Sequence, residues 1–192
     1  MKTLIHTGKL IGMVGNKVDR DVSVLINNGR FEKIGPQGSI AANGAREVDA
    51  RNKVMIPGLF DLHFHLFLLL TGPVGGSSEV THIRDEMVAA KVFHAANAAK
   101  IWLQTGVTTI RDAGAGQLLA VAMKEAIQAG LTPGPRVVAS GPLIAQTGAF
   151  RPGSEDHGVE VTGADEARRE ARRQLKAGVD VLKLYGASTI GG

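Results

Sequence analysis

Cysteine is absent from the chain, which excludes disulfides and any metal site built on thiolates. Aromatic residues make up only 4%, so a core has to be assembled from Val, Ile, Leu and Ala. Long apolar runs are missing too. Leu66 to Leu70 is far too short to span a bilayer, and Met1-Lys2-Thr3-Leu4-Ile5-His6 does not open a secretory signal. The expectation is a cytoplasmic protein with no membrane partner. No strong excess of one charge sign exists either, the net charge being +4. The densest basic group, Arg168, Arg169, Arg172 and Arg173, is interleaved with Asp165, Glu166 and Glu170 in a helix-forming stretch, with Asp165 and Arg169 spaced i,i+4. A nucleic-acid surface would want aromatics or a basic face free of acids. A solvated helix face is the expectation, with no nucleic-acid partner.

What is abundant is glycine, 25 of 192 residues, nearly twice the average usage of roughly 7%. Tight turns and close backbone approaches are the usual reason. That length allows one domain, or a small domain joined to part of a larger one.

Residues 1–53 read as short strands and turns of a small antiparallel sheet. Val22 to Ile26 is β-rich and runs into Asn27-Asn28-Gly29, a hairpin signal. Phe31 to Pro36 alternates and ends in a breaker, Glu47 to Ala50 could be another strand, and Arg51-Asn52 a turn. From Val54 the rhythm changes. An apolar strand leads through Pro57-Gly58 to Leu59-Phe60-Asp61-Leu62-His63-Phe64-His65-Leu66, and a Gly/Ser-rich loop, Thr71 to Ser78, follows. Asp85 to Gln104 has helical spacing, with Val88, Val92, Ala95 or Ala96, Ala99 and Leu103 on one side. Val107 to Ile110, Arg136 to Gly141 and Val179 to Tyr185 read as further strands. Helices are expected over Gln117 to Ala129, and from a cap at Thr162 or Asp165 to Ala177. Strands alternating with helices mean parallel βα units. Such units form half of an eight-stranded barrel or a small open sheet. The open sheet lacks its usual phosphate loop, because Gly114-Ala115-Gly116 does not continue as G-x-G-x-x-G.

In a strand, side chains two apart share a face. Asp61, His63 and His65 therefore stand on one side, and Leu62, Phe64 and Leu66 on the other. Two imidazoles and a carboxylate on one face each need a partner, which a divalent metal bound by neutral ring nitrogens supplies. The alternative is a pair of buried, hydrogen-bonded histidines. A place at the carboxyl end of a βα strand, where barrel sites lie, favours the metal.

Ile56-Pro57-Gly58-Leu59-Phe60-Asp61-Leu62-His63-Phe64-His65 resembles the P-G-[LF]-x-D-x-H-x-H motif of the amidohydrolase superfamily. The resemblance runs on through Leu103 to Asp112, Gly134 to Gly141, and Ala177-Gly178-Val179-Asp180-Val181-Leu182-Lys183-Leu184. The last resembles the G-x-D-x-x-K strand of the imidazolonepropionase-like and Xaa-Pro dipeptidase-like branch. It implies an α/β fold: the first half of a TIM-type (β/α)8 barrel over 54–192, preceded by the N-terminal part of a small β-sandwich over 1–53. It also implies metal ligation by His63 and His65, and a bridging role for Lys183 once carbon dioxide has carboxylated its amine. The residue alone reads as an ordinary lysine whose ammonium reaches solvent. The metal is one or two divalent ions, with zinc expected, and the reaction is hydrolysis of an amide, peptide or other C–N bond by activated water.

Elsewhere, His94 is expected to be a packing or surface residue, and His6, His82 and His157 surface residues. Arg111 and Asp112 could face the site, but an ion pair closing the barrel mouth is the expectation. Many relatives carry Gly-Gly-His after the third strand; Thr147-Gly148-Ala149-Phe150-Arg151 lacks that histidine. The resemblance also implies that the remaining ligands, two histidines and an aspartate that is also the general base, are expected beyond residue 192. A half-barrel would leave open sheet edges. This chain is therefore expected to be inactive alone, and to join a complementary C-terminal chain or form a homo-oligomer. The alternative to a hydrolase is a non-catalytic fragment or subunit that binds metal or such a chain.

Overall fold

The β-rich opening folds as expected at its hairpin, but its sheet is mixed. In the computed structural model, residues 1–12, 15, 17–67, 70–71, 79–80, 88–150 and 158–186 are described. Strands β1 (Lys2–Ile11), β2 (Val18–Asn27), β3 (Arg30–Pro36) and β4 (Arg46–Met55) form one sheet of order β3-β2-β1-β4. Between β2 and β3, Asn28 and Gly29 take φ of 49° and 74°. This is the two-residue mirror-image turn whose twist matches that of the flanking strands. β4 lies parallel to β1, so the sheet is not purely antiparallel. Arg51-Asn52, expected as a turn, lies within β4. Its extra residues are absorbed where the register jumps from Thr7 opposite Ala50 to Lys9 opposite Val54.

His6, expected at the surface, is buried. Strand alternation turns it inward, where Nδ1 lies 2.8 Å from Ser23 Oγ and Nε2 3.1 Å from Glu47 Oε2. One ring thus ties β2, β1 and β4, and satisfies a fully buried hydroxyl that would otherwise be costly.

The chain divides into two compact units, Met1–Pro57 and Gly58–Gly192. The second runs β5 (Leu59–Phe64), β6 (Leu70–Thr71), β7 (Glu79–Val80), α1 (Val88–Gln104), β8 (Val107–Asp112), α2 (Leu119–Gln128), β9 (Arg136–Val138), β10 (Leu143–Gln146), β11 (Gly158–Val161), α3 (Gly163–Lys176) and β12 (Leu184–Tyr185). β5, β8 and β9 are successive parallel neighbours, with α1 and α2 as the crossovers. The core of this unit gathers Leu66, Ala95, Ala99, Ile110, Val121 and Val137, with Phe64 and Trp102 packed against it. On α1 the buried face is Ala95 and Ala99, whereas Val92, expected there, is exposed. α2 starts at Leu119, two residues late, because Gln117 and Leu118 sit at φ of 54° and 60°.

The fourth strand, expected over 179–185, is broken into a bridge between Ser140 and Val181 and the short β12. A side chain intervenes in its ladder. The Ala139 N–H donates to Asp180 Oδ2 at 2.8 Å, while the Asp180 N–H donates to Ala139 O at 2.8 Å. Lys124 Nζ holds the same carboxylate at 3.0 and 3.1 Å. β10 continues past this point between β11 and β12, parallel to both.

α3 follows Thr162, whose hydroxyl engages that of Thr147 instead of the helix amides; the Thr162 N–H donates to Glu166 Oε2 at 2.6 Å. Asp165 pairs with Arg168, one residue short of the expected Arg169. The helix buries Glu170 and Gln174. Gln174 Nε2 donates to Pro142 O at 3.0 Å and to Glu170 Oε1 at 2.8 Å, and Arg173 grips Glu170 with two bonds of 2.7 Å. Among the described residues, no helix is long and apolar enough to cross a membrane.

Two outcomes follow from these contacts. The Arg173 guanidinium holds the Glu170 carboxyl below its usual range, so its stabilisation is present above the unfolded value of about 4.3 and lost as pH falls through the lower folded value. Thermal melts at pH 7 and pH 3 will show a smaller drop for Glu170→Gln than for the native chain; an equal drop would mean the pair does not govern acid sensitivity. Asp180→Ala leaves the Ala139 N–H without its acceptor, and will lower unfolding free energy in urea by about 1–2 kcal/mol. An unchanged midpoint would mean the fourth strand is held elsewhere.

Candidate metal centre

Because β5, β8 and β9 run parallel, their carboxyl ends share one rim, and the candidate residues gather there. His63 lies on β5 and is exposed; His65, just past its end, is half-buried. Their ring centroids are 5.3 Å apart and the planes tilt by 55°. Asp61 turns back on its own strand, Oδ1 accepting the His63 N–H at 3.1 Å. On the opposite face, Phe64 meets Trp102 edge-on at 4.9 Å and Leu66 is fully buried, but Phe60 and Leu62 remain 66% and 57% exposed. The expected apolar face therefore reaches the core only at its carboxyl half.

A cleft of about 190 Å³ opens at this rim, lined by His63, Arg111, Asp112, Ala113, Ser140, Val181, Leu182 and Lys183. The carboxyl ends of all four barrel-type strands contribute. His63 and Lys183 both line this cleft; His65 is not among its lining residues, and its Nδ1 lies 3.1 Å from the Gly114 carbonyl oxygen. Lys183 is carried by the strand that Asp180 anchors, and its carbonyl accepts the Ile144 N–H at 2.9 Å.

Arg111 and Asp112 do not pair with each other as expected. Arg111 Nε donates to Leu62 O at 2.6 Å, and Asp112 accepts the Leu66 and Gly114 amides at 2.9 and 3.0 Å. Both line the cleft, but each is taken up by a different neighbour, Arg111 by a β5 carbonyl and Asp112 by two loop amides. Burial pushes the Asp112 carboxyl above its usual range, opposed by those two amides and by the nearby His65. Ser140, fully buried at the cleft wall, was legible only through its place at the end of a βα strand. His94 is half-buried on α1, and His82 and His157 lie outside the described residues. The segment Thr147–Phe150 closes on Glu160, which accepts the Gly148 and Phe150 amides at 2.9 and 3.0 Å and sets the Phe150 ring on Tyr185.

The two imidazoles are spaced compatibly with one divalent ion. A carbonyl oxygen only accepts, so Nδ1 of His65 carries the proton and the lone pair of a neutral ring sits on Nε2. A tetrahedral ion with metal–nitrogen bonds of roughly 2.0–2.1 Å separates two imidazole centroids by about 5 Å, close to the spacing here. Among the described residues, no group of three or more His, Cys, Asp or Glu could hold a metal.

Residues 54–190 match the sequence profile of the amidohydrolase family. Across an alignment of 219 residues the chain is 26% identical to ochratoxinase from Aspergillus niger, covering 98% of this chain and 42% of that protein. A solved Xaa-Pro dipeptidase with methionine bound in its active site superposes with a TM-score of 0.80 at 27% identity, over 96% of this chain and 47% of that one. Phenylurea hydrolase B superposes with a TM-score of 0.75 at 25% identity, over 96% and 45%. The chain spans under half the length of these relatives. The neighbours are (β/α)8-barrel proteins, and the four successive parallel units here are a partial barrel of that α/β type. The family generally binds divalent metals. With profile, strand order and superposition in agreement over nearly the whole second unit, the chain belongs to the amidohydrolase family.

Proposed function

We propose that this chain carries the first-strand and fourth-strand ligands of a metal-dependent hydrolase that cleaves an amide, peptide or other C–N bond. The observation that carries the reading is the cleft lined by both His63 and Lys183, with the His65 ring 5.3 Å from that of His63. In this reading residues 1–53 are the N-terminal part of a β-sandwich domain and residues 54–192 the first four βα units of the barrel.

His63 and His65 would hold one ion through ring nitrogens. Lys183, its amine converted by carbon dioxide to a carbamate, would supply the anionic oxygen that the two imidazoles lack. When bound, the metal, with zinc the expected ion, polarises the scissile carbonyl and makes water nucleophilic near neutral pH. Ser140 and Arg111 add a hydroxyl and a guanidinium to the same cleft, and Ala113 and Leu182 give it apolar wall. The substrate class is a small-molecule or peptide amide. A second reading, a subunit that binds metal, a complementary chain or its own copy without turnover, is favoured by the two-imidazole limit among the described residues and by exposed Leu59, Phe60 and Leu62 on β5.

The test is metal content per chain after purification, with and without bicarbonate, for the native protein and the His63→Ala, His65→Ala double variant. Metal near one ion per chain, raised by bicarbonate and at least tenfold lower in the double variant, is the expected result. Metal no higher than in the double variant would overturn the reading. Metal-dependent turnover of a dipeptide panel, absent from the double variant, would show hydrolysis by the chain itself; metal without turnover is the outcome expected of a portion whose general base lies elsewhere.

A further inference from the structure

The segment Asp112-Ala113-Gly114 touches the backbone on both sides of His65 and its ring as well. The Ala113 N–H donates to Phe64 O at 2.7 Å, just before His65. The Leu66 N–H, just after it, donates to Asp112 Oδ2 at 2.9 Å. The imidazole Nδ1–H donates to Gly114 O at 3.1 Å, and Gly114 is itself held by its N–H on Asp112 Oδ1 at 3.0 Å. Space is tight around this loop. Gly114 sits at φ of +142°, and a Cβ there would come within 2.9 Å of Leu143 Cδ2 and 3.7 Å of His65 Cε1. His63, by contrast, is exposed and has its amide on the neighbouring Asp61.

Asp112 is 0% exposed, and its two oxygens each accept one backbone amide from a different loop. An isolated buried carboxylate is expensive, so a site that keeps one is using its capacity to accept twice. Asparagine has the same shape but only one acceptor oxygen; its amide nitrogen would face an N–H and repel it.

We infer that Asp112 is the positioning residue of this centre: its carboxylate locks the Gly114 carbonyl against His65 Nδ1, fixing ring and tautomer so that Nε2 is presented before any metal arrives. Burial alone does not require this arrangement, since an apolar residue would fill the same space. His65 is thereby the preset ligand and His63 the one that moves to meet the ion. The inference rests on the metal reading for its purpose, but not for its geometry.

The test compares the native chain and Asp112→Asn, both metal-free, by 15N-resolved NMR of the histidine rings, and then by zinc competition with a chromophoric chelator. The native chain should show His65 protonated at Nδ1 with a slowly exchanging ring proton. Asp112→Asn should mix the tautomers, speed that exchange at least tenfold, and weaken zinc binding about 10–100-fold. Ser140→Ala, at an equally buried cleft residue whose hydroxyl donates to Gly141 O at 3.3 Å, should leave the ring signature unchanged. A native His65 protonated at Nε2 would overturn the inference even if the variant fails to fold. So would a folded Asp112→Asn with unaltered ring signals. Ring signals that respond as expected in a native chain with no zinc affinity would leave Asp112 as the positioning residue and refute the metal reading instead.

Discussion

Parallel pairing is the constraint on which the rest of the second unit depends. A strand that leaves a parallel neighbour must cross back over the sheet, so every carboxyl end opens on the same rim. That rule brings together residues distant in sequence: His63 from β5, Asp112 from β8, Ser140 after β9, and Lys183 before β12. Helices α1 and α2 bury the sheet's other face with small residues, Ala95, Ala99 and Ala120. With so few aromatics, close helix–sheet approach replaces bulk, and the single tryptophan, Trp102, packs directly behind β5 on Phe64.

Within that frame, polar side chains repeatedly take over work that the backbone ladder would otherwise do. Asp180 substitutes for a rung between the third and fourth strands, Glu160 closes the loop after β10, and Asp112 joins the loops after β5 and β8. Each carboxylate accepts two or more donors, so each is satisfied where it stands. The rim is therefore held by satisfied carboxylates and amides.

Much of this was legible in the sequence because it depends on periodicity and on turn chemistry. The Asn28-Gly29 hairpin, the α/β alternation and the shared face of His63 and His65 all follow from spacing alone. What was not legible depends on partners far along the chain. His6 has no patterned neighbour, and its burial is explained only by Ser23 and Glu47 on strands 17 and 41 residues away. Arg111 and Asp112 look like an ion pair by adjacency, yet backbone groups after and within β5 and after β8 take up each of them separately. The fourth strand is β-rich as a sequence but is interrupted where a side chain, Asp180, occupies its ladder. The late start of α2 reflects left-handed residues that no propensity favours.

The central claim is that His63, His65 and Lys183 converge on one ion. X-ray absorption spectroscopy of the zinc-loaded chain, prepared in bicarbonate, tests it most directly. The account predicts multiple scattering from two imidazoles at roughly 2.0–2.1 Å together with oxygen ligands, one of which is lost in Lys183→Ala. A first shell of oxygen alone, or one that Lys183→Ala leaves unchanged, would contradict it.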